Sequence, residues 1–261
     1  MILDKITLKT RKRVAALKKR IPAQELQQKA ASLAEPAGDF PFYQALKQPG
    51  MSVICEVKKA SPSKGVIAED FDYLQIAKDY QSAGADALSV LTEPDFFQGS
   101  IDYLQEIKQN VSIPILMKDF IIDSYQIYLA RVIGADAVLL ICSLLDRATL
   151  SAYLELCKKL QLSALVETHD ADEVQKALAA DAKIIGVNNR NLHTFEVDFQ
   201  NSLRLRELVP AHIPFVAESG IRTRDDFKAL EQANVSAVLI GETLMRSENK
   251  RQALSGLRGQ A

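Results

Sequence analysis

From residue 51 onward, two hydrophobic patterns take turns along the chain. Short runs dense in Val, Ile, Leu and Ala alternate with longer stretches in which apolar residues recur every three or four positions. The short runs are MSVICEVK (51–58), ALSVLT (87–92), PILMKD (114–119), AVLLICS (137–143), SALVET (163–168), IIGVNN (184–189), PFVAES (214–219) and AVLIGE (237–242). Each predicts a strand, and the stretches YLQIAKDYQSAG, SYQIYLARVIG, LSAYLELCKKL and DDFKALEQAN between them predict amphipathic helices. Strands that alternate with helices in this way build βαβ units around a parallel sheet.

The punctuation repeats as well. Gly84-Ala85-Asp86-Ala87 and Gly134-Ala135-Asp136-Ala137 are the same tetrapeptide, each ending a helix and opening a strand, and glycine suits a helix C-terminus. Ile113-Pro114-Ile115 and Ile213-Pro214-Phe215 recur similarly, with proline at the first strand position, where its missing N–H costs little. A spacing of about 50 residues, or multiples of it, corresponds to two βα units. The first 47 residues depart from the alternation. There Ile2, Leu3, Ile6, Val14 and Leu17 sit among Lys5, Lys9, Arg11, Lys12, Arg13, Lys18, Lys19 and Arg20, a basic amphipathic helix closed by Pro22. That segment reads either as a solvated helix face or as a cationic cover over an anionic active site. The expected fold class is therefore α/β: a single (β/α)8 TIM barrel over residues 1–261, with 1–47 as an N-terminal helical extension covering the barrel mouth.

Composition narrows the function. The chain has 261 residues, 48% hydrophobic and 25% charged, which suits one such barrel. A net charge of -1 supplies no global basic field to recruit nucleic acid or an anionic membrane, so a small molecule is the expected partner. The N-terminus lacks the apolar core of a signal peptide, and no window approaches the ~20 apolar residues of a membrane span. A cytoplasmic monomer is expected. Cys55, Cys142 and Cys157 are odd in number and lack CxxC spacing, which points to reduced, buried thiols. His169, His193 and His212 fall in different segments without HxH or HExxH spacing, so no metal is expected.

In a barrel of this kind, chemistry belongs at the C-terminal strand ends and the loops beyond them. The first run ends Glu56-Val57-Lys58, whose i, i+2 spacing puts both charges on one face. Lys118, Glu167, Asn188 and Glu218 end the third, fifth, sixth and seventh runs. Any one of these could be a charge surfacing at a strand end; converging, they could lower a lysine pKa or raise a carboxylate's, as acid–base chemistry requires. The last two runs lead into Ser219-Gly220 and Gly241-Glu242, where glycines let backbone N–H groups approach an anion and a following helix adds its positive end, a phosphate site. The loop Lys59-Ala60-Ser61-Pro62-Ser63-Lys64-Gly65 reads as a surface loop or, facing the same mouth, as a cover for substrate.

At these residues a resemblance enters. CEVKKASPSKG (55–65), LTEPDFFQGS (91–100), ILMKDF (115–120), LVETH (165–169), GVNNRNL (186–192), VAESGI (216–221) and LIGETLM (239–245) resemble, in order and over nearly the whole chain, the motifs of the indole-3-glycerol phosphate synthases of tryptophan biosynthesis. The resemblance implies a cofactor-free ring closure. In it, 1-(2-carboxyphenylamino)-1-deoxyribulose 5-phosphate loses carbon dioxide and water to give indole-3-glycerol phosphate. It also implies that Lys118 protonates the ketone oxygen, that Lys58 contacts the substrate carboxylate and assists the departure of water, and that Glu167 is the acid–base carboxylate of dehydration. By the same likeness Glu56, Asn188 and Glu218 orient the lysines and bind hydroxyls, Ser61, Ser219, Gly220 and Gly241 cradle phosphate, and Phe97, Phe120 and Leu192 wall the aromatic ring. Some relatives have serine where this chain has Glu242; only the backbone N–H of Glu242 is expected to serve phosphate. The competing readings are a Schiff-base aldolase using Lys118 as nucleophile and an inactive barrel kept as a binding module.

Overall fold

The computed structural model describes residues 2–33, 40–192 and 194–259, so His193 lies outside the described residues. Eight parallel strands close a barrel: β1 (Ser52–Val57), β4 (Ala87–Leu91), β5 (Ile115–Lys118), β6 (Ala137–Ile141), β7 (Ser163–Thr168), β8 (Ile185–Asn188), β9 (Phe215–Glu218) and β10 (Ala237–Ile240). Two short strands, β2 (Ala60–Ser61) and β3 (Gly65–Val66), pair antiparallel as a hairpin in the loop after β1. The barrel closes where Ser52 of β1 lies opposite Ala237 of β10. A TIM barrel with an N-terminal helix is the fold that the alternation predicted.

The ladder starts one residue later than expected at four places, Ser52, Ile115, Ile185 and Phe215, and at two of them the reason is a proline. Pro114 and Pro214 stand just before β5 and β9, and their carbonyls accept from Leu88 N–H at 2.9 Å and Ile185 N–H at 3.1 Å. Proline thus contributes its acceptor to the sheet at the one position where no donor is required. Gly84 and Gly134 adopt φ of 91° and 87°, the left-handed backbone that ends each helix and that an L side chain would strain. Among the described residues, seven helices begin on a side chain that caps them, namely Asp72, Ser100, Asp123, Asp146, Asp170, Thr223 and Asn249, each cap worth about 1 kcal/mol.

Strand parity positions the site. Ile54, Leu116, Leu139, Leu165, Val216 and Leu239 pack together inside the barrel, whereas Val53, Cys55, Ile115, Met117, Val166, Ala217 and Ile240 pack against the helices. Because side chains alternate with a period of 2, the residues two further along from the inner set point the same way. Those residues are Glu56, Lys118, Ile141, Glu167, Glu218 and Gly241. The three cysteines belong to the helix-facing layer and are buried and unpaired. Burial pushes the thiols of Cys142 and Cys157 up to about 12, so they stay protonated and unreactive.

The N-terminal segment divides between the two ends of the barrel. Helix α1 (Ile2–Arg20) brings Ile2, Leu3 and Ile6 to the mouth and is latched there by Arg13, which reaches the buried Asp119 at 2.5 Å, while Lys18 reaches Asp123 at 2.6 Å. Helix α2 (Ala23–Ser32) packs on the helix Ser124–Val132. Helix α3 (Pro41–Ala45) lies at the opposite end. Tyr43 N–H donates to Ser163 Oγ at the start of β7, the Ala45 carbonyl accepts from Ser52 Oγ at the start of β1, and Phe42 is fully buried among the interior side chains. The expectation that residues 1–47 as a whole cover the mouth is corrected in this respect. An apolar Phe42 and Leu46 next to small first-strand residues such as Ala87 and Ala137 plug the floor instead. Among the described residues, no helix is long and apolar enough to cross a membrane.

Candidate active site

One cavity of about 390 Å3 opens at the C-terminal strand ends. All thirteen side chains or backbone positions singled out from the sequence line it. These are Glu56, Lys58, Lys118, Glu167, Asn188 and Glu218 at the base, Ser61, Ser219, Gly220 and Gly241 on one wall, and Phe97, Phe120 and Leu192 on the apolar side. Phe97 and Phe120 lie with ring centroids 5.9 Å apart, forming a surface that suits a flat ring.

At the strand ends lies a buried charge cluster. Lys118 Nζ lies 2.6 Å from Glu218 Oε2 and 3.3 Å from Glu167 Oε2, and Lys58 pairs with Glu56, which also accepts from Ser89 Oγ at 3.5 Å. The carboxylate side chains are between 1% and 5% exposed. Burial pushes Glu56 and Glu167 up, but the lysines outweigh it. Lys58 and Lys118 hold Glu56 below the usual carboxylate range, and Lys118, with His169 and an Asn188 hydrogen bond, does the same for Glu167. Glu218 goes the other way. Burial raises it, Lys118 pulls it down, and the neighbouring Glu167 and Glu56 add repulsion, leaving it pushed up to about 7. One ammonium faces two carboxylates, and the one that is raised is Glu218.

Of the two shifts anticipated for the cluster, the carboxylate shift therefore occurs at Glu218. The lysine shift has the opposite sign. Burial alone would depress Lys118, but Glu218, Glu167 and Glu56 raise it well above the usual ammonium range. An amine held protonated in this way carries no free lone pair to attack a carbonyl, which counts against the Schiff-base aldolase.

The state of Glu218 has a measurable consequence. Its proton is bound more tightly folded than unfolded, so this contribution to stability is complete below the unfolded value of 4.5 and is lost as pH rises to about 7. The loss from this group is about 3 kcal/mol over that window. Urea unfolding from pH 5 to pH 7.5 is expected to show a decline in stability that Glu218→Gln flattens. An identical decline in the variant would assign the proton elsewhere.

Two glycine-bearing turns, after β9 and β10, form another part of the lining. Ser219 and Gly220 take φ of 68° and 85°, two successive left-handed residues, and Asn189 Nδ2 donates to the Ser219 carbonyl at 3.0 Å to hold the turn. Left-handed backbone at a non-glycine is costly and persists where the surrounding structure holds it. A Cβ on Gly241 would come within 2.9 Å of Lys58 Nζ and would also strike Glu56, so only glycine leaves room for both. Gly241 caps the helix Glu242–Met245, whose N–H groups add to the cradle. The Glu242 carboxylate is engaged by Lys64 at 3.5 Å and Arg246 at 3.3 Å. Burial opposes the shift, yet those cations hold it below the usual range. Its charge is thereby largely cancelled at the rim.

Sequence reasoning missed Arg190, Arg222 and Arg246, which line the same cavity. Arg190 stands two residues past Asn188, so the parity that picks out Lys58 from Glu56 could have found it. Arg246 lies one helical turn past Glu242, a relation visible only once the four-residue helix is placed. Among the described residues no group of His, Cys, Asp and Glu side chains is arranged to hold a metal ion.

Comparison with known proteins adds the decisive observation. The profile of the family described as indole-3-glycerol phosphate synthase matches residues 3–257. The chain belongs to the indole-3-glycerol phosphate synthase family. Proteins of that name from Ruminiclostridium cellulolyticum and Lacticaseibacillus paracasei are 57% and 52% identical to it, each covering 100% of both chains. One from Endomicrobium trichonymphae is 54% identical over 99% of this chain and 100% of its own length. Solved structures share the fold at much lower identity. A 3-hexulose-6-phosphate synthase superposes with a TM-score of 0.66 at 15% identity, covering 80% of this chain and 99% of its own. A 3-keto-L-gulonate-6-phosphate decarboxylase from Vibrio cholerae gives 0.63 at 15%, covering 81% and 97%. Those two speak to the family's architecture alone.

Proposed function

We propose that Lys118 is the general acid of the ring closure, delivering its proton to the ketone oxygen as the aromatic carbon attacks. As a member of its family the chain is a carboxy-lyase of tryptophan biosynthesis. It turns 1-(2-carboxyphenylamino)-1-deoxyribulose 5-phosphate into indole-3-glycerol phosphate, carbon dioxide and water. The observation that carries the assignment is the Lys118 ammonium, 14% exposed and held between Glu167 and Glu218 at the end of β5. A proton donor preorganised where an alkoxide develops, in a site with little water, stabilises that charge far more than water would.

The remaining roles follow from position. Lys58, fixed by Glu56, faces the substrate carboxylate and assists the leaving hydroxyl. Glu167, held ionised by Lys118, accepts the proton released during dehydration. Glu56, Asn188 and Glu218 orient the two lysines and bind hydroxyls. Phosphate lies against Ser61, Ser219, Gly220 and Gly241, and the anthranilate ring lies between Phe97, Phe120 and Leu192. No step of this chemistry calls for a cofactor or metal. The same reading places the protein in the cytoplasm as a monomer; its exposed large apolar side chains, Leu8, Leu33, Val66 and Leu208, come from separate segments, as on an ordinary solvated surface.

The test uses an absence: the chain contains no tryptophan. Purified protein mixed with the anilino-deoxyribulose phosphate is expected to develop indole fluorescence against a dark background. Binding of a substrate analogue without any indole product would replace the synthase with the binding-module reading.

A further inference from the structure

His169 stands behind the reactive cluster, at the end of β7, and does not line the cavity. Its Nδ1 lies 3.1 Å from Glu173 Oε2, and that same oxygen accepts the His169 backbone N–H at 2.8 Å. Asn201 Nδ2 donates to the His169 carbonyl at 2.9 Å, so the residue is pinned on both sides. The other ring nitrogen is buried without a hydrogen-bond partner, and it lies 3.5 Å from Glu167 Oε1. A buried polar nitrogen left idle is costly unless the group it faces makes use of it.

The charges around this imidazole are one-sided. Glu167 faces it from β7, Glu173 and Asp170 from the helix Ala171–Ala179 and its cap, and Glu218 from β9. Glu196 and Asp198 lie across a second cleft that opens beside it, and Lys118 of β5 meets Glu167 from the far side. Burial disfavours the imidazolium, but the Glu173 hydrogen bond and the charges of Glu167, Glu173 and Glu218 prevail and shift the ring toward its protonated form. With both nitrogens protonated, Nδ1–H donates to Glu173, and the ring carries a positive charge whose Nε2 lies 3.5 Å from Glu167 Oε1.

We propose that His169, clamped by Glu173, is a positioning residue for Glu167: its imidazolium, with Nε2 3.5 Å from Oε1, holds the carboxylate ionised from behind and leaves Oε2, beside Lys118, toward the substrate. This inference rests on the reading of Glu167 as the proton acceptor of dehydration. His169 itself touches no substrate. Its effect is to set the pH at which Glu167 becomes available.

The test is the pH profile of kcat for the full chain and for His169→Gln, Glu173→Gln and Glu167→Gln. Removing a cation within about 4 Å of a buried carboxylate moves that carboxylate's pKa by about 1 unit or more. The acid limb of His169→Gln is therefore expected to move up by about 1 pH unit, with kcat converging on the parent value at alkaline pH and KM little changed. Glu173→Gln, which weakens the clamp, is expected to move the same limb the same way by less. It also carries the test if His169→Gln fails to fold. A uniform fall in kcat with an unmoved limb would overturn the proposal and make His169 merely structural. Full turnover in Glu167→Gln would instead remove the reading beneath it, whereas an inactive Glu167→Gln with an unmoved limb in the other two removes the inference alone.

Discussion

Lys118→Ala is expected to lower kcat on the order of 10^3-fold while substrate analogues still bind, because the variant loses the only ammonium placed between Glu167 and Glu218. General acid catalysis by one positioned group accounts for about 10^2 to 10^4 in rate, and this group also carries the positive charge that a developing alkoxide meets. Binding survives because the phosphate cradle is built from other parts of the chain, the Ser219-Gly220 turn and the N–H groups after Gly241. The fold survives as well. Glu218 already sits near a pKa of about 7, so a carboxylate that loses its lysine takes up a proton before it forces the barrel open. Lys118→Arg is no rescue, since its planar fork needs more room than the ammonium between Glu167 and Glu218 and presents its donors in a different geometry. The measurement is indole fluorescence under saturating substrate. Turnover close to that of the parent chain would sink the assignment.

Glu167→Gln is expected to cost about 10^2-fold or more in indole formation, and to do so at a particular step. Glutamine keeps the shape of the side chain and can still accept a hydrogen bond from Lys118, so the geometry of ring closure is preserved. It cannot take the proton that dehydration releases. Carbon dioxide is expected to appear in a first turnover ahead of indole, with the hydroxylated intermediate accumulating between them. Parallel loss of both signals would move Glu167 into the ring-closing step. The comparison also separates the two acids: Lys118→Ala should suppress carbon dioxide and indole together, since its step comes first.

Both substitutions act on residues whose position could be read from the chain. Parity does most of this. Once SVICEV, ILMK, SALVET and FVAE are strands of one barrel, the period of 2 that buries Ile54, Leu116, Leu165 and Val216 also sends Glu56, Lys118, Glu167 and Glu218 into the mouth. Gly220 and Gly241 were legible as punctuation at the ends of the last two runs, and the structure adds why glycine is needed there: a turn at φ 85° and a Cβ-free approach to Lys58. Parity and punctuation thus determined the barrel, the inner face of each strand and the charged strand ends, whereas Ser61, Phe97, Phe120 and Leu192 were placed at the cavity by the family resemblance.

Three things waited for the tertiary structure. The first is the direction of the titration shifts. The sequence places two lysines and three carboxylates at one end, but which group is raised depends on distances such as 2.6 Å against 3.3 Å, and on burial that differs by a few percent. The second is the course of the first 47 residues. An amphipathic pattern says that one face is buried without saying against what, and only packing sends α1 to the mouth and α3 to the floor. The third is the pairing of His169 with Glu173 behind Glu167. Two residues four apart look like an ordinary helical neighbour pair in the chain. It takes the turn out of β7 to aim the free face of that ring at a carboxylate the chemistry needs.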